Sequence, residues 1–150
     1  MRQIRFDSGG KTSVRTQFGA LCYRVRRDEV QVLLVTSRRS GRWIIPKGWP
    51  ENNATPHKAA KREAWEEAGA QGRVNGNALG IFSYVKERKD TDLPVVVVVF
   101  PMKVKSTSSR YPEAHQRRRK WFSCEKAAAK VQEPELRRML RQFDPKSLKR

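Results

Sequence analysis

Three glutamates on one face of a single short helix constrain this chain more than any other feature. They lie in the run Arg62-Glu63-Ala64-Trp65-Glu66-Glu67-Ala68-Gly69, which closes a stretch with helix signals at both ends. Thr55 stands at the N-cap position, Pro56 at the first helical position, and the alanine-rich run His57 to Ala68 leads to Gly69, a natural C-cap. At about 100° per residue, Glu63, Glu66 and Glu67 fall within an arc of roughly 100°. Like charges this close repel one another, and the C-terminal end of a helix disfavours anions. The arrangement therefore costs stability unless a cation sits among the carboxylates. A purely oxygen donor set selects a hard divalent ion, Mg²⁺ with Mn²⁺ as the alternative, over zinc or copper. A solvated glutamate face, with Arg62 paired to Glu66 four residues on, accounts for the same pattern equally well until the surroundings are considered.

Those surroundings are strongly basic. Lys and Arg number 33 against 15 Asp and Glu, a formal net charge of +18. A field of that sign attracts polyanions: nucleic acid, anionic lipid or phosphorylated small molecules. The excess is spread from Arg24, Arg26 and Arg27 through Arg38, Arg39 and Arg42 to Arg117, Arg118, Arg119 and Lys120, so no single basic tail carries it. Membrane insertion is not expected, because the longest apolar run, Val95 to Phe100 between Pro94 and Pro101, falls far short of the ~20 residues a spanning helix needs. Cys22 and Cys124 are far apart and without metal-type spacing. This argues against a zinc site or a disulfide framework and makes a reducing cytoplasm the expected location. Met1 to Ser13 has no apolar stretch of the secretory kind and is expected to be disordered.

A chain of 150 residues with 37% hydrophobic content supports one core. The expected domain runs from residue 14 to 143, and the polar end 144–150 is expected to fray. Phe18 to Val25 and Val30 to Thr36 read as a hairpin about the charged turn Arg26 to Glu29. Trp43-Ile44-Ile45 is a short strand stopped by Pro46, and Lys47 to Asn53 has loop composition. Beyond the helix, Val74 to Lys86 reads as one or two strands around Gly80, and Val95 to Val104 as a strand buried on both faces, because its β-branched run does not alternate. Arg117 to Phe122 reads as a strand, Ser123 caps a helix through Val131, and Pro134 starts another to about Phe143. The expected class is α/β, a mixed central sheet between helical layers in an α/β/α sandwich.

With the helix placed, Gly48 lies fourteen positions before Arg62, and Gly48 to Ala70 resembles the Nudix box. That box reads Gly, five residues, Glu, seven residues, Arg-Glu-apolar-x-Glu-Glu-x-Gly-apolar. Gly48, Arg62, Glu63, Ala64, Glu66, Glu67, Gly69 and Ala70 match, while Ala54 replaces the first glutamate and puts the full metal complement in question. Glu51 lies nearby in the same loop, and Trp49 stands where a second glycine is common. Arg42 to Pro46, Gly80 to Phe82, Glu87 to Lys89 and Arg119 to Phe122 extend the resemblance to the diphosphoinositol polyphosphate phosphohydrolase branch, over roughly Arg15 to Val131. Nudix RNA pyrophosphohydrolases usually carry Pro-Gln-Gly-Gly where this chain has Pro46-Lys47-Gly48-Trp49.

The resemblance implies a magnesium-dependent hydrolase cutting a phosphoanhydride bond in a diphosphoinositol polyphosphate or dinucleoside polyphosphate. Glu63 and Glu67 would hold the metal, with the Lys47 and Gly48 carbonyls as further ligands. Glu66 would be the general base and Arg62 would orient a glutamate. Arg38, Arg39, Arg88 and Arg117 would grip phosphate. Glu113 is a candidate extra acid, and His57 and His115 read as surface residues. The competing readings are an RNA 5′-end pyrophosphohydrolase, or a non-catalytic Nudix-fold protein that binds RNA or nucleotide, which Ala54 favours and the intact glutamate triplet opposes.

Overall fold

A computed structural model describes residues 15–86 and 92–149. Its strands are β1 (Arg15–Arg26), β2 (Glu29–Thr36), β3 (Trp43–Ile44), β4 (Lys47–Gly48), β5 (Ala70–Val74), β6 (Gly80–Lys86), β7 (Leu93–Thr107) and β8 (Arg119–Ser123). The helices are α1 (Pro56–Ala68), α2 (Cys124–Lys130) and α3 (Pro134–Gln142). The strands form one mixed sheet ordered β3-β2-β1-β7-β5, with β4 on β1, β6 on β7 and β8 on β2. Among the described strands only β1 and β7 run parallel, from Arg15↔Val95 to Tyr23↔Lys103. This is the α/β class with a mixed sheet read from the sequence.

Side-chain alternation along β7 places the helices on opposite faces. Phe100 packs against His57 of α1, ring centroids 6.2 Å apart. Val99 is registered with Gly80, where a Cβ would lie 3.3 Å from Met139 of α3. Consecutive strand residues point to opposite sides, so α1 covers one face and α3 the other. Ala59, Ala60, Ala64 and Ala68 of α1 are buried, and their small side chains let the helix lie close on the sheet.

The helix boundaries follow the sequence signals. Gly69 adopts φ 64° and caps α1 through its N–H. A Cβ there would also lie 2.5 Å from the Tyr111 ring, so backbone shape and packing both demand glycine. Thr55 occupies the N-cap, but its side chain bonds no cap N–H and lies 3.4 Å from His57 Nδ1 instead. Ser123 caps α2 by accepting from the Lys126 N–H.

Four strand readings change, the first being that 75–79, expected within the strands from Val74 to Lys86, is the connection between β5 and β6, where the Asn77 N–H donates to Asn75 Oδ1. Lys47–Gly48, expected within a loop, pairs with β1. Gln71 to Arg73, too polar to suggest a strand, belongs to β5, which pairs with the exposed end of β7 through a register shift at Gln71/Gly72. Its Gly72 is forced, since a Cβ would come within 2.0 Å of the Lys103 carbonyl oxygen. Arg117 and Arg118, expected in a strand, precede β8. Pro101 is tolerated within β7 because the antiparallel partner switches there from β6 to β5, so no such partner requires its missing N–H. In the last residues, Pro145–Ser147 form a 3-10 turn, and the Lys149 carbonyl accepts from Asn75 Nδ2 at 2.6 Å. The expected disordered stretch, residues 1–13, lies outside the described residues, as do Glu87, Arg88 and Lys89.

Candidate active site

The two residues of β4 carry the site's inner wall. Gly48 pairs with Phe18 and Lys47 with Gly19, which presses this backbone against the inward face of α1. A Cβ at Gly48 would lie 2.1 Å from Glu63 Oε1, so glycine is the residue that lets the carboxylate lie there. Lys47 N–H points at Glu67 Oε1, 3.4 Å away. Glu63 and Glu67 are 8% and 5% exposed and share a side-chain hydrogen bond. Burial raises the Glu63 carboxyl above its ordinary range. It lifts Glu67 to about 8, with Glu63 adding to the rise and Arg117 and Lys47 opposing it. Burial also pushes the Lys47 ammonium down, against the pull of Glu67.

An outer layer of carboxylates lies above this pair. Glu51, Glu63 and Glu66 each offer an oxygen within 4.8 Å of the others. Arg62, largely exposed, spans the outer two: Nη1 is 3.1 Å from Glu51 Oε2 and Nε is 3.0 Å from Glu66 Oε1. The loop folds Glu51 upward through a turn in which the Ala54 N–H donates to the Glu51 carbonyl at 3.3 Å and Asn53 takes φ 67°. Helical spacing says nothing about a loop residue, so only the proximity of Glu51 to the box pointed to it in the sequence.

The segment before β8 closes the site from the other side. The Glu113 N–H donates to the Glu66 carbonyl at 2.9 Å. Arg117, its side chain 10% exposed, is fully committed to protein: Nε to Glu113 Oε1 at 3.0 Å, Nη2 to Glu67 Oε2 at 3.5 Å and Nη1 to the Thr36 carbonyl at 3.1 Å. The guanidinium expected from the sequence to grip phosphate thus lies between the Glu113 and Glu67 carboxylates. Arg38 is exposed beside this loop, bonding Gln116 Oε1 at 3.0 Å, and Arg39 is exposed in the same turn. Arg88 lies outside the described residues. Arg119 Nη1 donates to the Ala68 carbonyl at 2.7 Å, a cation at the C-terminal end of α1 where the helix dipole favours one. His57 packs on Phe100, and His115 is exposed.

On the opposite face, a polar cluster the sequence did not reveal backs the same strand. Lys47 Nζ lies 3.2 Å from the Tyr84 hydroxyl, which donates to Gln17 Oε1 at 2.7 Å. Arg42 pairs with Glu133 through Oε2, and the buried Oε1 has no hydrogen-bond partner among the described residues. Burial pushes the Tyr84 hydroxyl up to about 12.

The donor set fits a hard divalent cation. It consists of carboxylate oxygens, two of the carboxyls are held buried in their costlier environment, and Gly48 leaves room for Glu63 and nothing bulkier. A family model for the NUDIX domain matches residues 15–143. The chain belongs to the Nudix family. Its curated Nudix relatives include mouse diphosphoinositol polyphosphate phosphohydrolase 3-alpha, 34% identical over 75% of this chain and 66% of that protein. Human diphosphoinositol polyphosphate phosphohydrolase 3-beta is 35% identical with the same coverage, so the chain spans just under two thirds of the length of these relatives. Nudix hydrolase 18, mitochondrial, of Arabidopsis thaliana is 32% identical over 82% of this chain and 70% of that protein. Among solved structures, the C. elegans Ap4A hydrolase matches with a TM-score of 0.62 at 23% identity, covering 87% of this chain and 96% of that one. The NUDIX domain of Shewanella oneidensis NrtR, complexed with ADP ribose, matches at 0.67 and 14% identity, covering 91% and 92%. These two show the Nudix fold. Among the described residues, no helix is long and apolar enough to cross a membrane.

Proposed function

We propose that this chain is a magnesium-dependent Nudix hydrolase that cleaves a phosphoanhydride bond in a diphosphoinositol polyphosphate or a dinucleoside polyphosphate. The observation that carries this is the convergence of Glu51, Glu63 and Glu66 within 4.8 Å, with Glu63 also hydrogen-bonded to the buried Glu67. Glu63 is common to the inner and outer layers, so it is the central metal-holding residue, with Glu67 beneath it and the carbonyls at Lys47 and Gly48 alongside. Glu51 takes over the role left open by Ala54. When bound, Mg²⁺ or Mn²⁺ supplies acidification of water and charge balance on the phosphates.

The chain's own groups do the rest. Arg62 occupies Glu66 Oε1 and leaves Oε2 to accept the proton of the attacking water. Arg117 holds Glu67 in place. Arg38 and Arg39, with Arg88, contribute positive charge for the substrate phosphates, in keeping with the net charge of +18. Two free cysteines, Cys22 buried and Cys124 half-buried, suit a reducing compartment such as the cytoplasm.

The test is a substrate panel with magnesium: diphosphoinositol polyphosphates, diadenosine polyphosphates and 5′-triphosphorylated RNA, followed by phosphate release. Turnover on either of the first two supports the proposal, and turnover on RNA alone moves the chain to 5′-end processing. No turnover on any, at high enzyme concentration, leaves a binding protein.

A further inference from the structure

We propose that the β8 edge of the sheet, on the face that α1 occupies, is a binding platform for single-stranded RNA. Four side chains form a ladder there in which aromatic rings and guanidinium groups alternate. The Arg119 guanidinium lies 4.8 Å from the centroid of the Tyr111 ring, and Arg24 lies 4.0 Å over Trp121. Arg119 and Trp121 are two apart on β8, so they share a face at about 7 Å spacing. The register Leu33↔Trp121, Cys22↔Leu33 and Arg24↔Gln31 continues that face across β2 to Arg24.

The ladder is braced. Arg24 Nε donates to Gln31 Oε1 at 2.8 Å and Arg119 Nη1 to the Ala68 carbonyl, which fixes both guanidinium planes. All four side chains remain partly exposed. Arg26 follows on the same strand, and β8 pairs only with β2 among the described strands, so the edge is open.

Positive charge alone would suit any polyanion, including an inositol phosphate. Rings interleaved with fixed guanidinium planes suit a polyanion that also carries flat, stackable groups, which is the chemistry of unpaired nucleotides. The platform is continuous with the carboxylate site, since Arg119 touches the last turn of α1 and the Tyr111 loop supplies Glu113 to the Glu66 carbonyl. A strand lying on it therefore directs one end toward Glu66. That last step rests on the hydrolase reading; the binding itself does not.

The experiment is fluorescence anisotropy of a labelled 12-nucleotide single-stranded RNA with a 5′-hydroxyl, titrated with the full chain without metal at two salt concentrations. Trp121→Leu, Tyr111→Leu and Arg24→Gln are each expected to weaken binding by about five- to 150-fold, the range for losing one stacked base. The double variant Arg138→Gln, Arg141→Gln removes two charges from exposed positions on α3 and is expected to weaken binding less than any of these, with a shallower salt dependence. Unfolding midpoints establish that each variant is folded. Trp121→Phe, which keeps a ring, is expected to retain binding and carries the test if Trp121→Leu does not fold. The proposal is overturned if the α3 double variant loses as much as Trp121→Leu, if a duplex of equal length binds as tightly, or if a polyglutamate peptide displaces the RNA at equal charge. Hydrolysis plays no part in this readout, so its failure is distinct from failure of the catalytic proposal.

Discussion

Glu66 and Glu67 are neighbours on one helix, yet they sit in opposite settings. Glu67 is 5% exposed and is gripped by Arg117, itself enclosed. Glu66 is half-exposed, and its partner Arg62 is fully solvated and shared with Glu51. The inner pair is preorganised by long-range packing: β4 lies on one side and the Arg117 segment on the other. The outer group is held by local side-chain pairs that water weakens. A catalytic centre that must fix a cation and still release product benefits from both, a rigid floor and an adjustable rim.

The largest test of this contrast is at the rim's working carboxylate. Glu66→Gln is expected to lower kcat by about 10²–10⁴, the usual contribution of a positioned base, with substrate affinity little changed. Unaltered turnover would remove Glu66 from the mechanism. At the floor, Arg117→Ala strips the cation from a buried carboxylate and is expected to cost about 3 kcal/mol in urea denaturation of the metal-free protein above pH 8, where Glu67 is ionised. Arg62→Ala at the exposed rim should leave the urea midpoint almost unmoved at the same pH, because water screens its ion pairs. Equal losses would erase the distinction between the layers.

A pH series sharpens it further. Glu67 ionises near 8 in the folded chain, against an ordinary value of 4.5. The folded state therefore holds a proton that the unfolded chain has lost, and metal-free stability from this group falls as pH rises from 4.5 to about 8. Glu67→Gln should abolish that component of the slope. Magnesium should offset it, most strongly at the alkaline end, because binding requires the deprotonated carboxylate. Smallest of all, Glu51→Gln is expected to raise the magnesium concentration for half-maximal activity a few-fold, read from activation curves. No change would return Glu51 to the loop as a spectator.

The sequence carried the helix and its contents because those signals are local. Thr55, Pro56 and Gly69 mark the ends of α1, and the 3.6-residue period places three glutamates on one arc. Nothing local distinguishes Glu66 from Glu67, since burial depends on what arrives from β4 and from residues 113–117, far away in the chain. The same gap explains Arg117, whose sequence setting resembles that of any strand arginine and whose partners become visible only once β8 is paired with β2. Gln17, Tyr84 and Glu133 come from three separate elements, so no spacing rule connects them. β5 escaped notice because Gly72 and its polar neighbours carry the composition of a loop, and only the close approach of the Lys103 carbonyl shows why glycine is there.

β4 is only two residues long, and its side chains divide between the faces: Gly48 beneath the Glu63 carboxylate, and Lys47 toward Tyr84 on the far side. Sliding this strand by a single position would exchange them, driving an ammonium stem into the space that a hydrogen atom now fills. This two-residue strand thus acts as a locating pin, and the alignment of the whole acidic floor depends on which way one glycine and one lysine point.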